Sequence, residues 1–330
     1  MQELYPLTFE TIFKDKLWGG EKIRTILGKD FSPLPNCGET WEISGVKGNV
    51  SIVKEGKLAG ESLRSLIETY KGKLMGERVY EKFGNEFPLL VKFIDANADL
   101  SIQVHPDDAL ARQRHDSFGK SEMWYIFQAD PGSKLIAGFN RELDKNTYVE
   151  YFESGRLTEI LNQEEVDADD VFYLPAGRVH TIGKGLLLAE IQQTSDITYR
   201  IYDFDRVDAE GNKRELHVEQ ALDAIDYNFY PQYKTEYEAK ENSADTIVTS
   251  PYFSTQRLHC TQSIARDYSD LDSFVILVCV GGELELNYPG GKMEMKLGDA
   301  SLIPASINYL ELHPKGEFKL LEAYVPKENA

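Results

Sequence analysis

The sequence predicts a mainly β protein built from sandwich- or barrel-like sheets, on three observations. Strand-like segments recur through most of the chain at intervals of about 8–12 residues. Eighteen Tyr, sixteen Phe and twenty-five Gly favour sheets and tight turns over long helices. The strands are joined by neither strand–helix–strand alternation nor a phosphate-cradling glycine loop, which argues against a doubly wound fold. With 330 residues, two domains are the natural division.

The elements follow in order. The first forty-five residues hold short strand-like and turn segments, among them LWGGEKI and ETWEISG. Between about 61 and 87, apolar residues fall at helical spacing and are interrupted near Gly72 and Gly76, a small helical patch. PLLVKFID, DLSIQVH, SEMWYIFQ and SKLIAGF then read as strands, with turns at Asp95–Asn97, Asp130–Gly132 and Gly138. A second helical stretch covers 146–163 with a break at Gly155, before strands return in DDVFYLPAG, LLLAEIQQ and ITYRIYDF. Residues 215–245 are polar, acidic and Tyr-rich, with one helix candidate, LHVEQALDAI, and form the passage between halves. Beyond Val248 the pattern is almost entirely strand: FVILVCV, GELELNY, KMEMKL, ASLIPAS, INYLEL and FKLLEAYV.

Composition narrows the partners. A formal charge of -19 speaks against nucleic acid and anionic membrane. It leaves an anionic small molecule open, because exposed charges are screened over about 8 Å and a few local cations decide a cleft. Apolar runs fall well short of the roughly 20 residues of a membrane span. MQELYPLTFE lacks the basic and apolar regions of a secretory signal. Three scattered cysteines argue against a disulfide framework and against a thiolate metal site. The expectation is a cytoplasmic protein with a small-molecule substrate, a monomer or weak homodimer.

Four polar residues can be brought together by strand geometry. Gln103 and His105 stand two apart in SIQVHP and so share a face. Glu122 opens the aromatic strand that follows, and His180 comes after the turn PAGRV. Two imidazoles, a carboxylate and an amide carbonyl make a mixed nitrogen and oxygen set suited to zinc, with Gln103 its weakest member. A strand histidine alone is more often a hydrogen-bonded structural residue; the joint pattern carries the metal reading. His115, His217, His259 and His313 lack such company and read as structural or solvated. Lys92 interrupts an aliphatic strand, so it snorkels out or points into a polar cavity.

Residues 88–127, together with PAGRVHTIGKG and EIQQTSDITYRIYDFDR, closely resemble the type I mannose-6-phosphate isomerases, in their short bacterial form. The resemblance runs from Tyr5 to the C-terminus. It implies two cupin (jelly-roll) domains: a metal-binding one over 1–230, with helical insertions at about 61–87 and 146–163, and a degenerate one over 231–330. In the second, GDASLIPASINYLEL repeats the order of DDVFYLPAGRVHTI, but Ser306 stands where Gly177 does and Tyr309 where His180 does. One Zn2+ per chain is implied, held by Gln103, His105, Glu122 and His180. The implied reaction interconverts mannose 6-phosphate and fructose 6-phosphate through an enediol(ate). Asp196 and Arg200 match the family's active-site pair, with Arg200 stabilising the enediolate or the phosphate. Lys92 and Lys120 supply cations near the ion. The general base is one of Lys92, Lys120, Glu190, Asp196 or a water on the ion. Trp18 and Ser101 join Lys92, Lys120 and Arg200 as substrate-binding candidates. The family's common histidine before Lys120 is Gly119 here, so its role does not transfer. His105, Glu122 and His180 would equally form the triad of an iron-dependent cupin oxygenase, and a non-enzymatic sugar-binding cupin is the remaining alternative.

Overall fold

Antiparallel sheets carry the chain in the computed structural model, which describes residues 2–208 and 210–327. The first eleven strands are β1 (Ile12–Lys14), β2 (Glu39–Ile43), β3 (Leu89–Ala96), β4 (Ile102–Val104), β5 (Glu122–Ala129), β6 (Lys134–Phe139), β7 (Leu161–Glu165), β8 (Val171–Leu174), β9 (His180–Ile182), β10 (Leu186–Gln193) and β11 (Tyr199–Tyr202). They form a six-stranded sheet in the order β1-β2-β3-β10-β5-β8 and a five-stranded sheet in the order β11-β4-β9-β6-β7. Ile94, Trp124, Ile126 and Leu188 from the larger sheet meet Leu135, Ala137 and Ile182 from the smaller in one apolar cluster.

β3 and β10 are buried along their whole length. Both faces are covered, as near-continuous apolar strands require. Their other face, with Val91, Phe93, Leu187 and Ile191, packs on Leu63, Leu66, Leu74 and Val79 and on Ile276, Val278, Leu321 and Ala323. The helical patch is three short helices, α2 (Leu63–Tyr70), α3 (Gly72–Met75) and α4 (Glu77–Phe83), following α1 (Lys22–Thr25). The Ser62 hydroxyl starts α2 by accepting from the Ser65 N–H at 3.1 Å. Gly76 separates α3 from α4 at φ +88°, where a Cβ would meet the Asp272 carbonyl oxygen at 2.4 Å.

The remaining strands are β12 (Ala244–Thr249), β13 (Ser254–Cys260), β14 (Ile264–Asp267), β15 (Val275–Tyr288), β16 (Gly291–Lys296), β17 (Ala300–Ile303) and β18 (Tyr309–Tyr324). β12-β13-β18-β15-β16 lie in order, with β14 on β18 and β17 on β15. The sequence reading separates FVILVCV from GELELNY and INYLEL from FKLLEAYV, but each pair is one continuous strand. Register shifts at Cys279/Gly281 and Gly282/Leu284 bend β15 without ending it. Gly138, read as a turn, is instead an irregularity inside β6 at φ +69°, where a Cβ would strike the Tyr233 ring at 2.3 Å. Over 146–163 the chain forms α6 (Lys145–Glu153), a 3-10 turn (Leu157–Ile160) and the first residues of β7. α5 (Asp108–His115) is missing from the sequence reading. Its polar residues hide the apolar periodicity, and the Asp107 carboxylate caps it through the Leu110 N–H at 2.8 Å. α7 (Val218–Ala224) falls inside LHVEQALDAI.

The N-terminal stretch closes onto the last sheet: Leu7 and Leu302 exchange two backbone hydrogen bonds of 2.8 Å. At the opposite end of the first sheet, Asp95 is buried and its Oδ2 accepts the Lys22 N–H at 2.7 Å, anchoring α1. Burial pushes its carboxyl up to about 6, and its Oδ1 has no hydrogen-bond partner. The folded state therefore holds this proton more tightly than the unfolded chain, and the stability it contributes is lost as pH rises from about 4 to about 6. Asp95→Asn is expected to be more stable than the parent by about 1–2 kcal/mol at pH 7, a gap that closes by about pH 4. Denaturant midpoints across that range check it; a gap constant with pH would count against it.

Candidate active site

Three neighbouring strands of the smaller sheet set polar side chains in a row. Arg200 on β11 pairs in register with Gln103 on β4, which pairs with His180 on β9. The turn before His180 is held by Gly177, at φ +90°, whose N–H donates to the His105 carbonyl at 2.9 Å. From the larger sheet, Glu122, Trp124, Glu190 and Lys92 alternate with residues of the outer core and so face inward with Ile94 and Leu188.

His105, Glu122 and His180 converge, all buried, with one ligand atom of each lying within 4.8 Å of the others. Glu122 Oε2 is 3.4 Å from His105 Nε2 and Oε1 is 3.3 Å from His180 Nε2. Each ring is oriented by its other nitrogen: His105 Nδ1 donates to the Ile197 carbonyl at 3.0 Å and His180 Nδ1 to the Arg178 carbonyl at 2.8 Å. Those bonds assign the Nε2 lone pairs to the interior. Burial, with the Lys120 ammonium beside it, pushes His105 down to about 3, and burial likewise lowers His180, so both rings are neutral. Burial pushes the Glu122 carboxyl up, but the Lys120 ammonium beside it leads the interactions that hold the group well below the usual carboxylate range. Both its oxygens are buried without a protein hydrogen bond. Two neutral imidazoles and an ionised, unsatisfied carboxylate fit a divalent cation.

Gln103 adjoins the cluster, its amide nitrogen 3.2 Å from His180 Nε2 and its Oε1 accepting from the Ser101 hydroxyl at 3.4 Å. Lys120 Nζ lies 3.1 Å from His105 Nε2 and 3.2 Å from Glu122 Oε2. A cleft of about 430 Å³ opens here, lined among others by Trp18, Lys92, Ser101, Gln103, Lys120, Glu190, Asp196 and Arg200. Every sequence-predicted site residue is therefore in the cleft or in the cluster beside it. Lys92 points into the cavity rather than snorkelling, 2.7 Å from Glu190, whose other oxygen accepts from the Trp124 indole at 2.8 Å. Arg200 does not pair with Asp196; it donates to the Glu215 carbonyl at 2.9 Å, and its Nε is buried without a partner. Trp18 is both core and lining, only 4% exposed. A larger cleft of about 680 Å³, around Lys22, Asp130 and Lys184, contains none of these residues.

Sequence reasoning missed Lys14, Lys16, Glu39, Trp41, Asn49, Thr198 and Arg214, which line the same cleft. The alternation of ETWEI holds a usable signal, since Glu39 and Trp41 share a face and Trp41 pairs with Lys92. The Trp41 indole donates to Glu39 at 2.8 Å and its ring has Lys14 at 5.0 Å and Lys92 at 5.4 Å.

The chain is similar to known proteins over most of its length. The description "Phosphomannose isomerase type I, catalytic domain" matches residues 7–126, and "Mannose-6-phosphate isomerase, cupin domain" matches 243–325. The chain is 33% identical over 307 residues to a mannose-6-phosphate isomerase of Streptococcus mutans, covering 92% of this chain and 93% of that protein. It is 34% identical over 324 residues to the mannose-6-phosphate isomerase ManA of Bacillus subtilis, covering 96% and 95%. The crystal structure of a mannose 6-phosphate isomerase from Bacillus subtilis superposes with a TM-score of 0.87 at 31% identity, over 96% of this chain and 99% of that one. By class, then, the protein is an isomerase with a cupin domain. It belongs to the type I mannose-6-phosphate isomerase family and is an enzyme of that type.

Proposed function

We propose that the enzyme interconverts mannose 6-phosphate and fructose 6-phosphate through an enediol(ate), using one Zn2+ per chain. The observation that carries this reading is the neutral, preoriented His105–Glu122–His180 cluster opening onto a cleft rich in Lys and Arg. His105, Glu122 and His180 would hold the ion. Gln103 completes the set once its amide turns over, Oε1 toward the cluster and Nε2 toward Ser101. When bound, a divalent ion supplies Lewis acidity toward the sugar's C1 and C2 oxygens, worth several kcal/mol in the charged intermediate.

The chain's own residues do the rest. Burial pushes the Lys92 ammonium down, but Glu190 and Glu39 outweigh it and hold it raised, so Lys92 is a fixed cation and not the base. Glu190 is occupied by Lys92 and Trp124 and orients that ammonium. Proton transfer between C1 and C2 then falls to Lys120, Asp196 or a water they position. No side chain can replace Gly119, because a Cβ there would lie 2.6 Å from the Asp107–Asp108 backbone. Arg200, with its unpartnered Nε, supplies a fork of donors for the developing negative charge or the phosphate. Arg200→Ala is expected to lower kcat by about 10²–10³-fold while zinc content stays unchanged. Parallel loss of zinc would make Arg200 a structural residue instead.

Two jelly-roll domains, divided near residue 230, complete the reading. Tyr233 and Tyr237 still pack on the first sheets, and in the second half Tyr309 is 42% exposed. The single metal site is thus assigned to the first domain. A cytoplasmic monomer or weak homodimer is proposed with it; no helix among the described residues is long and apolar enough to cross a membrane. A coupled assay of mannose 6-phosphate conversion, with chelator and with zinc restored, tests the function. A folded, metal-replete sample without turnover sinks it, and metal analysis with oxygen uptake then decides for the iron triad.

A further inference from the structure

Among the cleft residues that sequence reasoning missed, Arg214 has a setting of its own. Between β11 and α7 the chain makes an excursion whose two ends are tied by one carboxylate. Asp203, only 5% exposed, accepts from Arg214 Nε at 2.7 Å and from Arg214 Nη2, and also from Arg206 Nη2. Arg206 in turn donates to the carbonyl of Asp99, two residues before Ser101. The excursion is further braced by the Val207–Lys213 bridge and a Lys213–Asp205 ion pair at 2.7 Å. Two partly buried bonds to one acid hold a guanidinium in a defined plane, which a single surface ion pair would not do.

That guanidinium lines the same cleft as Arg200. After burial itself, Arg214 is the main group pushing the Arg200 guanidinium down. Like charges thus line one partly buried cleft. Arg214 spends two donors on Asp203, and Arg200 spends one on the Glu215 carbonyl while its Nε has none to serve. Elsewhere in the cleft Lys16 pairs with Glu39 at 3.4 Å, and Lys14 donates to the neutral Asn49 amide and lies over the Trp41 ring. Asp203 is one carboxylate shared by Arg206 and Arg214, so with Arg200 the cations at the β11 end outnumber it. A dianion with three acceptor oxygens matches two forks lining one cleft better than a carboxylate or a neutral hydroxyl does.

We propose that Arg214, held in place by Asp203, acts with Arg200 as the clamp for the substrate's phosphate, and so sets specificity for phosphorylated over free sugars. This rests on the cleft being the sugar-phosphate site. Asp203 is a positioning residue, because it reaches the ligand only through Arg214.

The test uses zinc-loaded wild-type enzyme, Arg214→Ala, Arg214→Lys and Asp203→Asn. Steady-state kinetics with mannose 6-phosphate are combined with calorimetric binding of inorganic phosphate, and metal content and melting temperature verify folding. Arg214→Ala is expected to raise both KM and the phosphate Kd about tenfold, with kcat changed less than about threefold, since binding lost equally in ground and transition states appears in KM. Arg214→Lys should recover part of that loss, and Asp203→Asn should shift KM in the same direction with zinc retained. Unchanged KM and phosphate Kd in Arg214→Ala, or a fall in kcat alone, overturns the clamp. A wild-type enzyme that does not turn over mannose 6-phosphate overturns the isomerase reading instead, and the phosphate Kd values then still decide for or against Arg214.

Discussion

His180→Ala is expected to release the metal and abolish turnover together. The ring offers one of two neutral Nε2 atoms facing Glu122, and nothing else on β9 can replace it. Metal content should fall from about one per chain to a small fraction, and kcat by about 10³-fold or more, because the electrophile and part of its orientation go at once. His180→Gln, which keeps a polar side chain against Trp124, guards against simple misfolding as the cause. Metal analysis and the coupled assay on the same preparations check it; full activity in a metal-depleted His180→Ala protein would falsify the mechanism. The same cluster sets an acid limit for the metal-free protein. His105 takes up a proton only near pH 3 when folded but near 6.5 when unfolded, so stability falls as pH drops through that window.

The second large effect is in the ion pair behind the cluster. Glu190→Ala should destabilise the fold by about 3–5 kcal/mol, because it takes from the buried Lys92 ammonium, 5% exposed, its hydrogen-bonded partner and leaves the more distant Glu39 and Glu122 to answer it. The double replacement Lys92→Met with Glu190→Leu should cost far less, at most about 1 kcal/mol, since two apolar side chains of similar size fill the same space. Both are measured by denaturant unfolding. A single variant as stable as the double one would mean that water enters the site and solvates the lysine. In either case turnover is lost, which separates a residue kept for chemistry from one kept for stability.

Legibility in the sequence followed the physics of each element. β3, β5 and β10 are visible because apolar runs bounded by turn residues have no other stable fate, and the candidate cluster is visible because the sequence sets Gln103 and His105 two apart in a strand-like run. α5 was hidden, since an exposed helix with one buried residue has no apolar stripe. The continuity of β15 through Gly281 and Gly282 was hidden too. Paired glycines signal a turn and a bulge alike, and only the partner strand decides between them. At the site, the missed residues share one cause. Glu39 and Trp41 sit on a strand separated from Lys92 by half a hundred residues of chain, and Arg214 arrives from an excursion with no strand pattern at all. Which distant segments meet is a tertiary fact that periodicity does not encode.

The closure of Leu7 onto Leu302 sets the order in which this protein can be completed as it is made. Both catalytic sheets have emerged by Tyr202, yet the outer face of β3 and β10 still lacks Ile276, Val278, Leu321 and Ala323. Until the last strand leaves the ribosome, a nascent chain already holding His105, Glu122 and His180 exposes a broad apolar surface. The C-terminal sheet therefore serves the enzyme first as the cover that ends this vulnerable interval, whatever else its own surface has kept or lost.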